Sequence, residues 1–165
     1  MEISWGKNAN LVIKTKTGQV SIEADNRLVM SHRKSEEEDF VVTGAGEYEV
    51  EGISVFGYQV GEQIIFVIQG EEVRVLWLGG LATLPDEKVI GKLENIDVLA
   101  LGSGGLENKA WVELIGKLEP YYVIPLGEQK ESFIVAYEHG SKTVKSLNVS
   151  RLSLTDEVTE VIVFE

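Results

Sequence analysis

Residues 64–78 read Ile-Ile-Phe-Val-Ile-Gln-Gly-Glu-Glu-Val-Arg-Val-Leu-Trp-Leu, and these residues are the strongest indication of the fold class. Two runs of β-branched and aromatic residues, Ile64–Ile68 and Val73–Leu78, flank Gly70-Glu71, which is the pattern of a β-hairpin. Both arms are nearly all apolar, which is typical of strands that are buried on both faces. Each face of this hairpin therefore needs a cover, and we predict layers packed on both sides of it.

The sequence changes character on either side of this hairpin. Upstream, short strand-like runs are separated by glycine-containing turns, among them Leu11–Lys16, Gln19–Ala24, Leu28–Met30, Phe40–Thr43 and Tyr48–Tyr58. Downstream, helical and strand-like patterns alternate: helices from Thr83, through Ala110–Leu118 and from Lys130, and strands at Val98–Leu101, Tyr121–Pro125, Val144–Leu147, Val149–Leu154 and Val158–Phe164. This order predicts an α/β (α+β) fold in which two sheets are sandwiched by helices, with residues 1–165 forming one domain.

The composition excludes several functions. The chain has 27 acidic and 15 basic residues, a formal net charge of −12, and no concentrated basic patch, so we expect no nucleic-acid partner and no binding to anionic membranes. It has no cysteine, which excludes disulfides and thiolate chemistry. We see no signal peptide and no apolar stretch near the ~20 residues of a membrane span, so we expect a cytoplasmic protein.

Several sequence motifs occur in an order and at a spacing that are informative about the fold. Gly44-Ala45-Gly46-Glu47-Tyr48-Glu49-Val50 precedes Gly52-Ile53, and Leu76–Leu81, Asp97–Gly105 and Tyr122–Pro125 follow at matching distances. Together with the opening Ile3-Ser4-Trp5, these segments resemble the metallo-β-lactamase fold over nearly the whole chain. The resemblance is to its small branch of Zn-dependent hydrolases related to L-ascorbate 6-phosphate lactonase, whose segments read GPGEYEV, HLGDLG and DVLLIPVGG. It implies a shortened αββα sandwich, with two mixed β-sheets flanked by helices.

The same resemblance implies that the metal ligands are missing. The family's H-x-H-x-D-H cluster corresponds to Ser31–Glu36, where only His32 matches and the next ligand position holds Lys34. The other ligand and pocket positions correspond to Asn8, Gly80, Gly104 and Gly127. We therefore expect a degenerate site with no catalytic residue, no metal and no cofactor.

Elementary coordination chemistry makes this loss hard to repair. A catalytic zinc needs about three protein ligands and an open position for water. The chain has two histidines, His32 and His139, and Lys34 would oppose a divalent cation. The hypothesis is a metal-free, non-catalytic binding or assembly module that self-associates, as a homo-oligomer, or binds an unidentified small molecule or protein. The alternative is a hydrolase with an incomplete or unconventional metal site.

Other residues allow chemistry but have a simpler explanation. Gly102–Gly105 could hold phosphate before a helix, although a plain strand-to-helix turn is favoured because the Walker lysine is absent. Glu47 and Glu49 share a strand face and could act as an acid–base pair, although solvated side chains are favoured. Glu36–Asp39 could bind a cation, but a solvated loop is favoured there as well. Ser103 has no histidine nearby in sequence, so a serine–histidine triad is unsupported at this stage. We expect His139 at a helix C-terminus, and Trp5, Trp77 and Trp111 in a core or a subunit interface.

Overall fold

The computed structural model describes residues 1–8, 10–155 and 158–165. Its strands, in chain order, are β1 Glu2–Trp5, β2 Leu11–Lys14, β3 Gly18–Ile22, β4 Leu28–His32, β5 Phe40–Val42, β6 Gly46–Val50, β7 Ile53–Val60, β8 Gln63–Gly70, β9 Val73–Trp77, β10 Val98–Leu101, β11 Tyr122–Pro125, β12 Lys142–Val144, β13 Ser146–Asn148 and β14 Glu160–Phe164. The α-helices are α1 Glu87–Ile90, α2 Asn108–Leu118 and α3 Lys130–Tyr137, and a 3-10 turn covers Arg151–Ser153.

The first sheet has six strands in the order β13-β1-β2-β3-β4-β5. Every neighbouring pair in it is antiparallel. Short connections explain this for β1 to β5, because a parallel pair needs a crossover of a dozen or more residues, whereas antiparallel strands can be joined by a tight turn.

The second sheet has eight strands in the order β12-β14-β11-β10-β9-β8-β7-β6. Strands β6 to β9 form an antiparallel meander, whereas β9, β10, β11, β14 and β12 run parallel. Because α2 and α3 follow β10 and β11, the connecting loops at the carboxyl ends of these parallel strands meet at one edge of the sheet. In open α/β sheets this is the edge where ligands usually bind.

Two apolar cores hold the layers together. Ile13, Val20 and Met30 of the first sheet pack against Val55 and Ile68 of the second sheet in a core between the sheets. The other face of the second sheet packs beneath the helices, and its core includes Val67, Leu76, Trp111, Leu114 and Phe133. The hairpin of β8 and β9 is therefore covered on both faces, as its sequence predicts, and this chain supplies both covers.

The predicted fold class, a two-sheet α/β sandwich with few helices, is confirmed, and two details differ from the prediction. The first sheet is purely antiparallel rather than mixed. In the described part of the chain, the helical residues of the cores pack on the second sheet. The outer face of the first sheet carries half-buried polar residues, including Ser4, Gln19, Ser21 and Ser31, beside the half-buried Val12, Val29 and Val41. An antiparallel sheet with such a mixed face can meet water without a cover.

Local boundaries also differ from the sequence prediction. Helix α1 begins at Glu87 rather than at Thr83, because the Asp86 carboxylate caps it by accepting the Val89 N–H. Helix α3 ends at Tyr137, where Glu138 takes the left-handed conformation that closes a helix. The predicted strand at 149–154 is instead the 3-10 turn of Arg151–Ser153, closed by a capping box between Ser150 and Ser153.

None of the helices formed by the described residues has both the length and the apolar character that a membrane crossing requires.

Candidate functional site

Six glycines gather at the carboxyl ends of β9, β10 and β11, and we call them the glycine cluster: Gly79, Gly80, Gly102, Gly104, Gly105 and Gly127. The Gly102 N–H donates to the Gly79 carbonyl oxygen at 2.9 Å, and the Leu126 N–H donates to the Leu101 carbonyl oxygen at 2.8 Å. The loops after the three parallel strands are thus tied to one another by backbone contacts.

The glycine cluster leaves almost no room for side chains. A Cβ on Gly80 would come nearer than 3 Å to the carbonyl oxygen of Ser103, and one on Gly105 nearer than 3 Å to the carbonyl oxygen of Leu81. The Ser103 side chain lies beside Gly127, whose φ of +75° already favours glycine. Ser103 and its flanking backbone therefore fill the space that Gly80 and Gly127 face, whereas a Cβ on Gly104 would lie at ordinary van der Waals distance from Gly80.

The residues of the glycine cluster do not fit a zinc ion. Zinc takes imidazole, thiolate or carboxylate ligands, whereas this cluster offers backbone groups and one hydroxyl, that of Ser103. Within residues 1–8, 10–155 and 158–165, no group of three or more histidine, cysteine, aspartate or glutamate side chains is arranged to hold a metal ion.

His32 and Lys34 lie at the other end of the sandwich. Strand β4 runs antiparallel to β3, so His32 pairs with Gly18 at the start of β3. Gly18 packs against Ile53 at the beginning of β7, which is close to the Gly70 end of β8. Gly80, by contrast, accepts a hydrogen bond from Gln63 at the opposite end of β8. At ~3.3 Å per residue, the eight residues of β8 separate these two ends by roughly 23 Å.

At its own end, His32 joins the two sheets through carboxylates. Its Nδ1 atom lies 2.7 Å from Glu51 Oε1, and its Nε2 atom lies 3.3 Å from Glu37 Oε2. Glu51 belongs to the turn between β6 and β7, whereas Glu37 belongs to the loop before β5. Lys34 is exposed in that same loop. The expectation that His32 and Lys34 share a pocket with Gly80, Gly104 and Gly127 is therefore wrong, because the connection at 23–27 is too short for the parallel crossover that would reverse β4.

Asn8 lies at the same end as the glycine cluster but outside it. It lines an open depression with Asn10, Glu23 and Asp25. The turn between β3 and β4 separates this depression from the cluster, because Asn26 in that turn accepts from Trp77 Nε1 at 2.5 Å and donates to the Ile64 carbonyl oxygen at 3.0 Å. Of the six positions predicted for the former pocket, the structure brings Gly80, Gly104 and Gly127 together.

The remaining sequence candidates stay apart from one another. Ser103 is exposed, and neither histidine lies near it, since His139 sits with Tyr122 at the amino-terminal end of β11. Glu47 and Glu49 are exposed on the edge strand β6, and Glu36–Asp39 is an exposed loop in which Glu37 contacts His32. Trp77 and Trp111 are core residues, as expected, and Trp5 packs against the core between the sheets.

Sequence reasoning missed a buried carboxylate at the start of β10. Asp97 is 2% exposed, and its Oδ2 atom accepts from the Arg74 N–H at 2.8 Å and from Arg151 at 3.4 Å. The backbone N–H groups of Tyr121 and Tyr122 donate to its carbonyl oxygen. Asp97 therefore fixes the amino-terminal edge of the parallel strands, and its partner Arg151 gave no local signal because it lies 54 residues away in sequence.

Two open cavities lie at this amino-terminal edge, the edge opposite to the glycine cluster. One, of about 450 Å³, is lined by Tyr122, His139 and Lys142, and burial raises the pKa of Tyr122, with Glu160 raising it further. The other, of about 540 Å³, lies beside the last turns of α2 and α3. Both volumes are within the range of small-molecule sites.

Comparisons with known proteins agree with this architecture. The model of the β-lactamase superfamily domain matches residues 11–127. A candidate Zn-dependent hydrolase of the metallo-β-lactamase superfamily from Thermotoga maritima superposes with a TM-score of 0.75 at 18% identity, covering 100% of both chains. A candidate metal-dependent hydrolase from Parabacteroides distasonis gives a TM-score of 0.46 at 8% identity, covering 83% of this chain and 93% of that one. No curated protein matches the sequence.

Proposed function

Within the β-lactamase superfamily, to which the chain belongs, we propose that it is a metal-free, non-catalytic member that acts as a binding or assembly module. The observation that carries this proposal is the closed glycine cluster, in which backbone and Ser103 occupy the space faced by Gly80 and Gly127. The fold supplies the scaffold, while the site lacks the side chains that the family's hydrolytic chemistry uses.

The chemistry of hydrolysis explains why this matters. A zinc-dependent hydrolase uses the metal to lower the pKa of a bound water from ~16 to about 7, and the metal must keep one open coordination position for that water. Neither the ligands nor the open position has a counterpart among the residues of the glycine cluster. A serine nucleophile would need an adjacent base, and both His32 and His139 lie at the far end from Ser103.

A binding role has support from the opposite edge of the sheet. The two cavities there are open, lined by a mixture of apolar and polar side chains, and large enough for a small molecule or a peptide side chain. For assembly, the outer face of the first sheet carries Val12, Val29 and Val41 in one row across the strands. Val29 and Val41 are neighbours, and Ser21 lies between Val12 and Val29. Self-association through that face is the second half of the proposal.

The proposal is tested by metal content. Purified protein is incubated with excess zinc, dialysed mildly and analysed by inductively coupled plasma mass spectrometry. We expect well below one zinc per chain, and we expect His32→Ala to give the same value as the unmodified protein. One zinc per chain that resists dialysis would overturn the proposal, and its loss in His32→Ala would favour the hydrolase with an unconventional site.

A further inference from the structure

The cavity of about 540 Å³ is a groove between the carboxyl-terminal halves of α2 and α3. Val112, Ile115 and Gly116 of α2 form one wall, Pro120 lies beneath, and Tyr137 of α3 lies on the other side. Val112 and Val158, which also lines the groove, keep 36% and 67% of their surface exposed. The groove therefore presents exposed apolar side chains beside the polar groups of Glu119, Thr155 and Thr159.

Gly116 is the unexpected residue in this wall. A glycine inside a helix costs roughly 0.5–1 kcal/mol relative to alanine, because it loses more conformational freedom on folding. The usual structural reason for such a glycine is close packing against a neighbour. Here a Cβ on Gly116 would meet nothing within 4 Å, so packing within this chain does not require glycine. A molecule lying in the groove against the helix would require it.

The electrostatics of the groove favour a positive charge. Helix α2 ends at Leu118 and α3 ends at Tyr137, and the carboxyl terminus of a helix carries a partial negative charge. Among the described residues that line the groove, Glu119 is the only charged one. The nearest lysine on α2, Lys117, is paired with Glu87 and Glu113, each at 3.4 Å. The neighbouring cavity differs, because His139 and Lys142 line it.

We propose that this groove binds an amphipathic organic cation, whose apolar body lies along Val112, Gly116 and Pro120 and whose positive group lies at Glu119. The groove is at the opposite edge of the sheet from the glycine cluster, so this site stands whether or not the cluster holds a metal. It also gives Gly116 a role, since a larger side chain there would occupy the position of the ligand.

The test uses three probes that share one apolar body: hexyltrimethylammonium, 1-hexanol and hexanoate. Each is titrated into ¹⁵N-labelled protein while amide chemical shifts are recorded. For ligands of this size we expect a Kd on the order of millimolar for the cation, with saturable shifts at Val112, Gly116 and Glu119. We expect the cation to bind about threefold to tenfold more tightly than the alcohol, and hexanoate to bind most weakly.

Two variants locate the site. Gly116→Leu fills the groove and should abolish binding of both the cation and the alcohol. Glu119→Gln should remove the preference for the cation while leaving the affinity for 1-hexanol unchanged. Glu131→Gln is the matched control, because it removes one exposed carboxylate from the first turn of α3, away from the groove, and should change neither affinity.

Several outcomes would overturn the proposal. Non-saturable shifts for the cation would do so, as would hexanoate binding as tightly as hexyltrimethylammonium. Unchanged binding in a folded Gly116→Leu variant would place the probe elsewhere. Glu119→Gln keeps the test decisive if Gly116→Leu does not fold, because a cation preference that survives this substitution contradicts the assigned position of the charge.

Discussion

The Gly102→Ala substitution tests whether the glycine cluster is as tightly closed as its geometry indicates. A Cβ on Gly102 would lie 2.6, 2.7 and 2.9 Å from the C, O and Cα atoms of Gly79. All three are backbone atoms, so no side chain can rotate away. Ordinary van der Waals separation would require the end of β9 to retreat from β10 by roughly 0.8 Å, which weakens the hydrogen bond from the Gly102 N–H to Gly79.

Overpacking of this kind costs about 1–3 kcal/mol of the free energy of unfolding. For a chain of 165 residues each kcal/mol corresponds to about 2–4 °C in Tm, so we expect Gly102→Ala to melt about 2–12 °C lower. Urea unfolding followed by tryptophan fluorescence should show a lower midpoint with an unchanged slope.

The matched control is the same chemical change at Gly116. Because a Cβ there meets nothing within 4 Å, Gly116→Ala should stabilise the helix by about 0.5–1 kcal/mol and raise Tm. The two substitutions are therefore expected to have opposite signs. Equal stability of Gly102→Ala and Gly116→Ala would show that the cluster has spare room, and the argument that it is closed to a metal would fail with it.

Three further predictions follow from other parts of the molecule. If the chain is metal-free, as proposed, the Tm should be the same with and without a strong chelator; a large drop in chelator would reveal a structural metal site. The amino terminus, 2.5 Å from Glu71, and the Lys16 N–H, at 2.8 Å, hold the pKa of Glu71 below its ordinary 4.5. The ionised Glu71 carboxylate therefore stabilises the fold above pH 4.5, and this stabilisation is lost as the pH falls through the lowered pKa of the folded state. The free energy of unfolding of Glu71→Gln should therefore decrease less with acidification than that of the unmodified protein. The same pH dependence for both proteins below pH 4.5 would contradict this. In size-exclusion chromatography with light scattering we expect a dimer, and a mass near 18.2 kDa across the peak would remove self-association from the proposed function.

Much of the fold was predictable because its signals are local. The apolar arms around Gly70-Glu71 predict a hairpin buried on both faces, and β8 and β9 form this hairpin. Most ends of these two strands lie within one residue of the predicted ends. The helical stripe of Ala110, Trp111, Leu114, Ile115 and Leu118 predicts α2, and Val98–Leu101 is a strand with the predicted bounds. In each case the apolar side chains within the segment itself indicate whether one face or both faces are buried.

The candidate site was only partly predictable because it depends on contacts distant in sequence. The order of motifs correctly placed Gly80, Gly104 and Gly127 at one sheet edge. A motif match says nothing about strand direction, so the match at Ser31–Glu36 placed His32 at the wrong end of the sandwich. The groove beside Gly116 was missed because its walls come from α2, α3 and residues beyond 150, which no local pattern links.

The short connection at 23–27 and the glycines of the cluster both bear on the proposed absence of a metal. Because β4 must return antiparallel to β3, any ligand placed after Met30 is delivered to the end of the sandwich that holds Glu51, where His32 has found carboxylate partners. The opposite end then receives only the beginning of β4, at Leu28, and none of the residues that follow Met30. There the backbone of 102–105 closes directly on Gly79, Gly80 and Leu81, and backbone approaching so closely tolerates glycine alone. Introducing single ligands at Gly80 or Gly127 would therefore face both a steric clash and missing partners, so the proposed metal-free state has support from the chain's topology as well as from its residue types.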